Sequence, residues 1–311
     1  MNMRKANKFS LVALTVVFAL SLGFLASCER AAPPPPVIDW DGEIVTSVIR
    51  DDMYNPYALV DVPLLLEMMD MPNVVILDVS PNRNNVIPGA IWLDRTTLLR
   101  DFEGNANATQ PIDVSAHIFG ANGIGNDTTV IVYDDANGMH AARIFWLLRA
   151  MGHRDVRLLD GGLRAWQDSG QRLQAVSSAP NPTVTFTAVD NMEHHRADLD
   201  FVVYAKNSPN WSILDTRSPA EIAAGRIPGS VPFSFIGDFV NADFTFRTLA
   251  EYEETFSHIS RDTGLIVSCG SGLRSSVAYF IFRDILNWPQ PVKNYEGGWN
   301  NWTWAGMPVE N

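Results

Sequence analysis

Two cysteines in 311 residues cannot build a disulfide framework. Six histidines stand without the spacing of a metal site, so no metal is expected. Positive charge is scarce: 23 Lys and Arg against 35 Asp and Glu leave a net charge of −12. No basic cluster lies beyond the N-terminus, which argues against nucleic acid as a partner. Long apolar runs are missing too, apart from Phe9–Phe24, which is too short to span a bilayer comfortably. What remains is 46% hydrophobic and 10% aromatic, ordinary globular composition with enough length for two cores.

Arg4, Lys5 and Lys8 precede the apolar run, so residues 1–27 read as a signal peptide. Leu25-Ala26-Ser27-Cys28 resembles the lipobox of bacterial lipoproteins. That resemblance implies cleavage before Cys28 and acylation of its thiol. Residues 28–43, with Pro33–Pro36, then form an extended tether. The expected location is extracytoplasmic, in the periplasm or at the cell surface, held to a membrane by the N-terminal lipid. With Cys28 acylated, Cys269 has no disulfide partner, and a single leftover thiol in an exported protein points to reactivity.

Cys269 opens Cys269-Gly270-Ser271-Gly272-Leu273-Arg274-Ser275. Leu265-Ile266-Val267 before it reads as a buried strand, and Val277–Phe282 after it as a buried helix. A strand-to-helix handover is where open α/β sheets place their sites. Two glycines let the backbone curl and aim several N–H groups at one point. Those amides, a helix N-terminus and the Arg274 guanidinium all favour thiolate over thiol, predicting a low-pKa nucleophile. Ser271, Ser275 and Ser276 either donate to a sulfur on Cys269 or cap the following helix. The Cys-x4-Arg spacing is one residue shorter than that of the cysteine phosphatases, and the smaller ring suits a single sulfur atom better than a phosphoryl group.

The chain repeats itself. Asp78 and Asp215 lie 137 residues apart, Pro88 and Pro228 140, Asp134 and Cys269 135, Gly162 and Gly298 136, and Trp166 and Trp302 136. A shared period of this kind marks a duplicated domain. Short apolar strands, such as Val74–Asp78 and Val130–Tyr133, alternate with helical patterns at Val62–Met69 and Ala141–Met151. That alternation predicts α/β units with parallel sheets. The expected division is a domain over 44–170, a linker over 171–191 and a second domain over 192–311. His194 and His195 are expected to be solvated, and Asp215 and Arg217 to form internal contacts at a strand end instead of touching substrate.

Four ordered motifs carry a family resemblance: Leu214-Asp215-Thr216-Arg217, Gly225-Arg226-Ile227-Pro228-Gly229, the Cys269 loop, and Asn294-Tyr295-Glu296-Gly297-Gly298-Trp299. Together they resemble the rhodanese-like sulfurtransferases of the two-domain thiosulfate and 3-mercaptopyruvate type. The resemblance implies two tandem rhodanese-like domains, each a parallel-sheet α/β domain with helices on both faces. Asp134 replaces the nucleophile in the first domain, which is therefore inactive and serves as a wall over the second. The implied chemistry uses Cys269 as catalytic residue, Gly270, Ser271, Gly272, Leu273, Arg274 and Ser275 as the substrate-binding loop, and no cofactor. An anionic donor loads a sulfane sulfur on Cys269, and cyanide or a thiol removes it.

The donor is less plainly written. Cys-Gly-Ser-Gly resembles the opening of mercaptopyruvate-type loops, but Leu273-Arg274 departs from their continuation. The two-domain members carry an arginine shortly after the Asp-x-Arg, where this chain has Glu221, and an arginine-bearing insert before Ile-Pro-Gly that is absent here. Without a carboxylate clamp, thiosulfate is the favoured donor, its charge met by the loop amides and Arg274. The alternatives are 3-mercaptopyruvate and, from another class, a membrane-tethered sulfur-binding scaffold without turnover of small donors.

Overall fold

The computed structural model describes residues 53–81, 85–177 and 183–311. The signal peptide, Cys28 and the tether lie outside the described residues.

Two five-stranded sheets organise the chain. The first runs, edge to edge, Leu59–Val60, Val156–Leu159, Thr129–Tyr133, Val74–Asp78, Ile91–Trp92. The second runs Arg196–Ala197, Val292–Tyr295, Gly264–Ser268, Trp211–Asp215, Val231–Pro232. All neighbours within both are parallel. The registers correspond as well: Val74 faces Thr129 in one sheet, and Trp211 faces Gly264 in the other. The period read from the sequence is thus a repeated topology.

Each central strand reads as an unbroken apolar run because both its faces are covered. Leu77, Val130 and Val132 enter one core while Ile76, Ile131 and Tyr133 enter another. In the second half Leu214, Leu265 and Val267 share the first of these cores, whereas Ile213, Ile266 and Tyr295 face a third. One core is therefore common to both domains. The helix Met139–Ala150 lies in it and buries nearly every residue, as a helix apolar on all sides must. Its Phe145 meets Phe280 edge to face, with ring centroids 5.0 Å apart.

The duplication extends to single hydrogen bonds. Trp166 Nε1 donates to the Arg172 carbonyl, and Trp302 Nε1 to the Pro308 carbonyl. The expected linker is laid along the first domain. Gln174–Ala175 pairs with Asn85–Val86, Val184 N–H donates to the Gly120 carbonyl, and Phe186 is buried against Phe119.

His195 departs from the sequence expectation. It is half-buried, its Nδ1 in contact with the Tyr279 hydroxyl, while its carbonyl accepts from Trp146 Nε1. Burial, with the Arg283 and Arg149 charges, pushes its pKa down to about 3, so it is a neutral link between helices of the two domains. His194 remains exposed. Among the described residues no helix is long and apolar enough to cross a membrane.

Candidate active site

The central strand Gly264–Ser268 ends in Cys269, which is free and 1% exposed. Five residues later the helix Arg274–Phe280 begins, so the thiol stands at the predicted handover. The helix Gly298–Trp304 shapes the loop from outside. Trp299 N–H donates to the Cys269 carbonyl at 2.8 Å and Asn300 N–H to the Gly270 carbonyl at 3.0 Å. Because C=O and the next N–H point oppositely across a planar peptide, this turns the N–H groups of Gly270 and Ser271 away from that helix. Gly298 makes the approach with φ +57°, and a Cβ there would meet the Cys269 carbonyl oxygen at 2.6 Å.

Loop side chains divide the work. Ser275 Oγ lies 3.5 Å from Cys269 Sγ and 2.7 Å from Asn294 Oδ1. Ser276 Oγ and Asn294 Nδ2 both donate to the Gly272 carbonyl, and Asn294 Nδ2 also to Ser276 Oγ. Ser275 therefore addresses the sulfur while Ser276 fastens the loop, and no side chain caps the helix at Leu273. Ser271 is half-buried at the loop's crown.

Arg274 sits beside Cys269, yet its guanidinium is already engaged. Nη1 and Nη2 donate to the two oxygens of Glu221, each at 2.7 Å. The pair, with the Ser218 hydrogen bonds, holds the Glu221 carboxyl down to about 2. Glu221 also closes a capping box on Ser218. The residue that stands where the family carries an arginine thus neutralises the arginine of the loop. Asp215 and Arg217 form a buried ion pair at 2.7 Å, and the Arg217 guanidinium lies 4.4 Å over the Trp299 ring. These two hold the site's frame and do not face the sulfur.

The first domain contributes directly. Its hairpin, Leu99–Phe102 with Asn105–Thr109, reaches the second domain's Glu296. Asn105 Nδ2 donates to the Glu296 carbonyl at 2.8 Å and Thr109 N–H to its carboxylate at 2.6 Å. Arg143, from the helix Met139–Ala150, donates through Nη2 to the same carboxylate at 2.5 Å and to the Asn107 carbonyl at 3.0 Å. Arg196 adds a second cation 3.5 Å from Glu296 Oε2. Burial alone would raise the Glu296 carboxyl, but Arg143, the Thr109 N–H and Arg196 outweigh it and hold it below the usual carboxylate range. The sequence reading passed over Arg143, and it quoted Asn294 and Glu296 within a motif without assigning either a role. The one available signal for Arg143 was a charge midway along a mostly apolar helix, away from its ends.

A pH prediction follows from Glu296. A depressed folded-state pKa means the stabilisation is complete above the unfolded value near 4.3 and is lost as pH falls toward the lower folded-state value. Glu296→Gln should cost on the order of 3 kcal/mol at pH 7 by stranding the buried Arg143 charge. Urea midpoints of the two proteins should converge as pH drops below about 4. A gap that stays constant to pH 3 would show that the carboxylate is not charged in the folded protein.

The first domain's own loop is built alike but filled differently. Leu163 N–H donates to the Asp134 carbonyl, the counterpart of Trp299 on Cys269. The Asp134 carboxylate then accepts from the N–H groups of Ala136, Gly138, His140 and Ala141, at 2.7–2.9 Å. This loop wraps an anion carried by its own first residue. Among the described residues no cluster of three or more His, Cys, Asp or Glu offers a metal site.

The family model of the rhodanese-like domain matches this chain twice, over residues 61–169 and 200–305. The chain belongs to the rhodanese-like family. A relative from Saccharopolyspora erythraea, provisionally named a thiosulfate sulfurtransferase, is 34% identical over 247 residues, covering 72% of this chain and 84% of its own. The thiosulfate sulfurtransferase of Corynebacterium glutamicum is 28% identical, covering 72% and 79%. The sulfur carrier protein TtuD of Thermus thermophilus is 29% identical, covering 82% and 97%. Among solved structures, the anaerobic ergothioneine biosynthesis enzyme of Chlorobium limicola shares the fold with a TM-score of 0.71 at 24% identity, covering 82% of this chain and 70% of its own. The rhodanese reading of two tandem α/β domains made from the motifs agrees with these matches, as does that of a sulfurtransferase.

Proposed function

We propose that this rhodanese transfers a sulfane sulfur through a persulfide on Cys269, with thiosulfate as donor. The observation that carries the reading is the free Cys269 at the end of the central strand, in a loop whose counterpart already encloses an anion on Asp134. The Cys269 thiolate attacks the outer sulfur of thiosulfate. The S–S bond of the donor breaks, and its electron pair leaves with sulfite. Cyanide or a thiolate then attacks the outer sulfur of the persulfide, and the electron pair returns to Cys269. No external oxidant or cofactor enters the cycle.

Thiosulfate is favoured over 3-mercaptopyruvate because the latter's carboxylate needs a bidentate cation. The loop's own arginine, Arg274, already spends both Nη groups on Glu221. The names of two relatives support the same donor. Mass spectrometry after thiosulfate exposure is the test: Cys269 should gain about 32 Da, one sulfur atom, and lose it to cyanide. In parallel, kcat/KM should be higher for thiosulfate than for mercaptopyruvate. No mass gain sinks the mechanism, and a preference for mercaptopyruvate sinks the donor assignment alone. From Leu25-Ala26-Ser27-Cys28 we further propose lipid anchoring to an extracytoplasmic membrane face, which fractionation of the expressed full chain tests.

A further inference from the structure

Arg143 is 3% exposed, and its Nη2 is satisfied by Glu296 and Asn107. Its Nε and Nη1 are buried and make no hydrogen bond within the protein. Leaving one buried donor unmade costs about 1–3 kcal/mol, and more when the group is charged. Two such donors on one guanidinium therefore call for a partner that the resting protein does not supply.

The position of Nη1 narrows what that partner is. It lies 3.0 Å from the point where a Cβ on Gly272 would sit, against the middle of the Cys269 loop, at a place kept open by the missing side chain. The guanidinium is backed at 4.5 Å by the Trp146 ring, so it cannot retreat. Nor is its charge cancelled, since Arg143 and Arg196 share the single carboxylate of Glu296. Arg274 differs, being matched one to one by Glu221. Nη1 thus faces the loop on a guanidinium with one positive charge in excess.

The missing partner is an anion small enough to fit beside a thiol that is 1% exposed. A sulfur atom carried on that thiol fits the description. Hydropersulfides are stronger acids than thiols, so the outer sulfur is negatively charged at neutral pH. We infer that Arg143 binds the outer sulfur of the Cys269 persulfide, so that the first domain holds the cargo of the second. This rests on the persulfide reading above. The first domain's loop shows the same demand met differently, its anion being the Asp134 carboxylate surrounded by four amides.

The experiment loads the full chain with thiosulfate, removes the excess by desalting, adds a fixed low concentration of a small thiol as acceptor, and follows the sulfur adduct by mass with time. Melting temperatures of loaded and unloaded protein are compared alongside. The variant is Arg143→Met with Glu296→Gln, which removes the cation without stranding the buried carboxylate. Wild type should melt higher when loaded. The double variant should lose that gain and shed its sulfur at least about tenfold faster, the factor expected for one charge-assisted contact. Arg143→Lys, which keeps the charge and loses the fork, should fall between them and carries the test if the double variant does not fold. A folded double variant, or a lysine variant, with wild-type adduct lifetime and thermal gain overturns the inference. Failure of wild type to take up sulfur at all is a different result and overturns the persulfide reading beneath it.

Discussion

Replacing Cys269 with serine is expected to reduce sulfur transfer from thiosulfate to cyanide to below about 1% of wild type while the fold persists. Serine oxygen is a poor nucleophile toward sulfur and cannot carry a persulfide. The cost to stability is small for structural reasons. Cys269 takes part in no disulfide, its Sγ touches the Ser275 hydroxyl at 3.5 Å, and a serine hydroxyl there gains a better partner. The melting temperature should change by no more than the few degrees that correspond to about 1 kcal/mol. Turnover above roughly 5% in a clean preparation would mean that sulfur travels by a route without this thiol.

The second large effect concerns Gly298→Ala. Gly298 has φ +57°, which costs an L-residue about 1–2 kcal/mol. The new Cβ would also stand 2.6 Å from the Cys269 carbonyl oxygen and 2.7 Å from that of Gly270. Both are main-chain atoms of the loop and yield only if the loop moves. Overpacking of this kind adds about 1–3 kcal/mol, so total destabilisation of roughly 2–5 kcal/mol is expected. Activity should fall more than stability explains, because what moves is the backbone that presents the sulfur. Gly162→Ala is the matched control. It has the same φ of +57° and a Cβ 2.5 Å from the Asp134 carbonyl oxygen, but in the first domain. It should destabilise comparably and leave kcat per folded molecule near wild type. Equal losses of kcat in both variants would show that Gly298 matters only for folding.

The comparison of those glycines was possible because the duplication is legible in the sequence. Parallel strands covered on both faces read as apolar runs, and the turns after Asp78 and Asp215 keep their proline, so landmarks recur at a fixed offset. The Cys269 loop was legible because all its parts are local. Other parts were not. The Arg143–Glu296 pair spans 153 residues of sequence, and only its Glu296 half lies in a motif. The hairpin Leu99–Thr109 carries no apolar strand pattern, because Asn105-Ala106-Asn107-Ala108-Thr109 aims polar groups at the other domain instead of apolar ones at its own core. His195 reads as a solvated linker residue because its cover comes from Tyr279, far along the chain. Arg274 illustrates a different limit: the sequence showed the arginine and Glu221 separately, and only the fold shows them cancelling.

The hairpin and Arg143 also bear on how such a chain evolves. A tandem duplication begins as two independent copies, either of which a later deletion removes without harm. Once the first copy lent its hairpin and a cation to Glu296, that freedom was gone. A gene trimmed to the second half would encode a domain with an exposed core face and a Glu296 left with Arg196 alone for a counter-charge. The half that carries Asp134 where the other carries Cys269 is the half that the other cannot shed without losing these contacts.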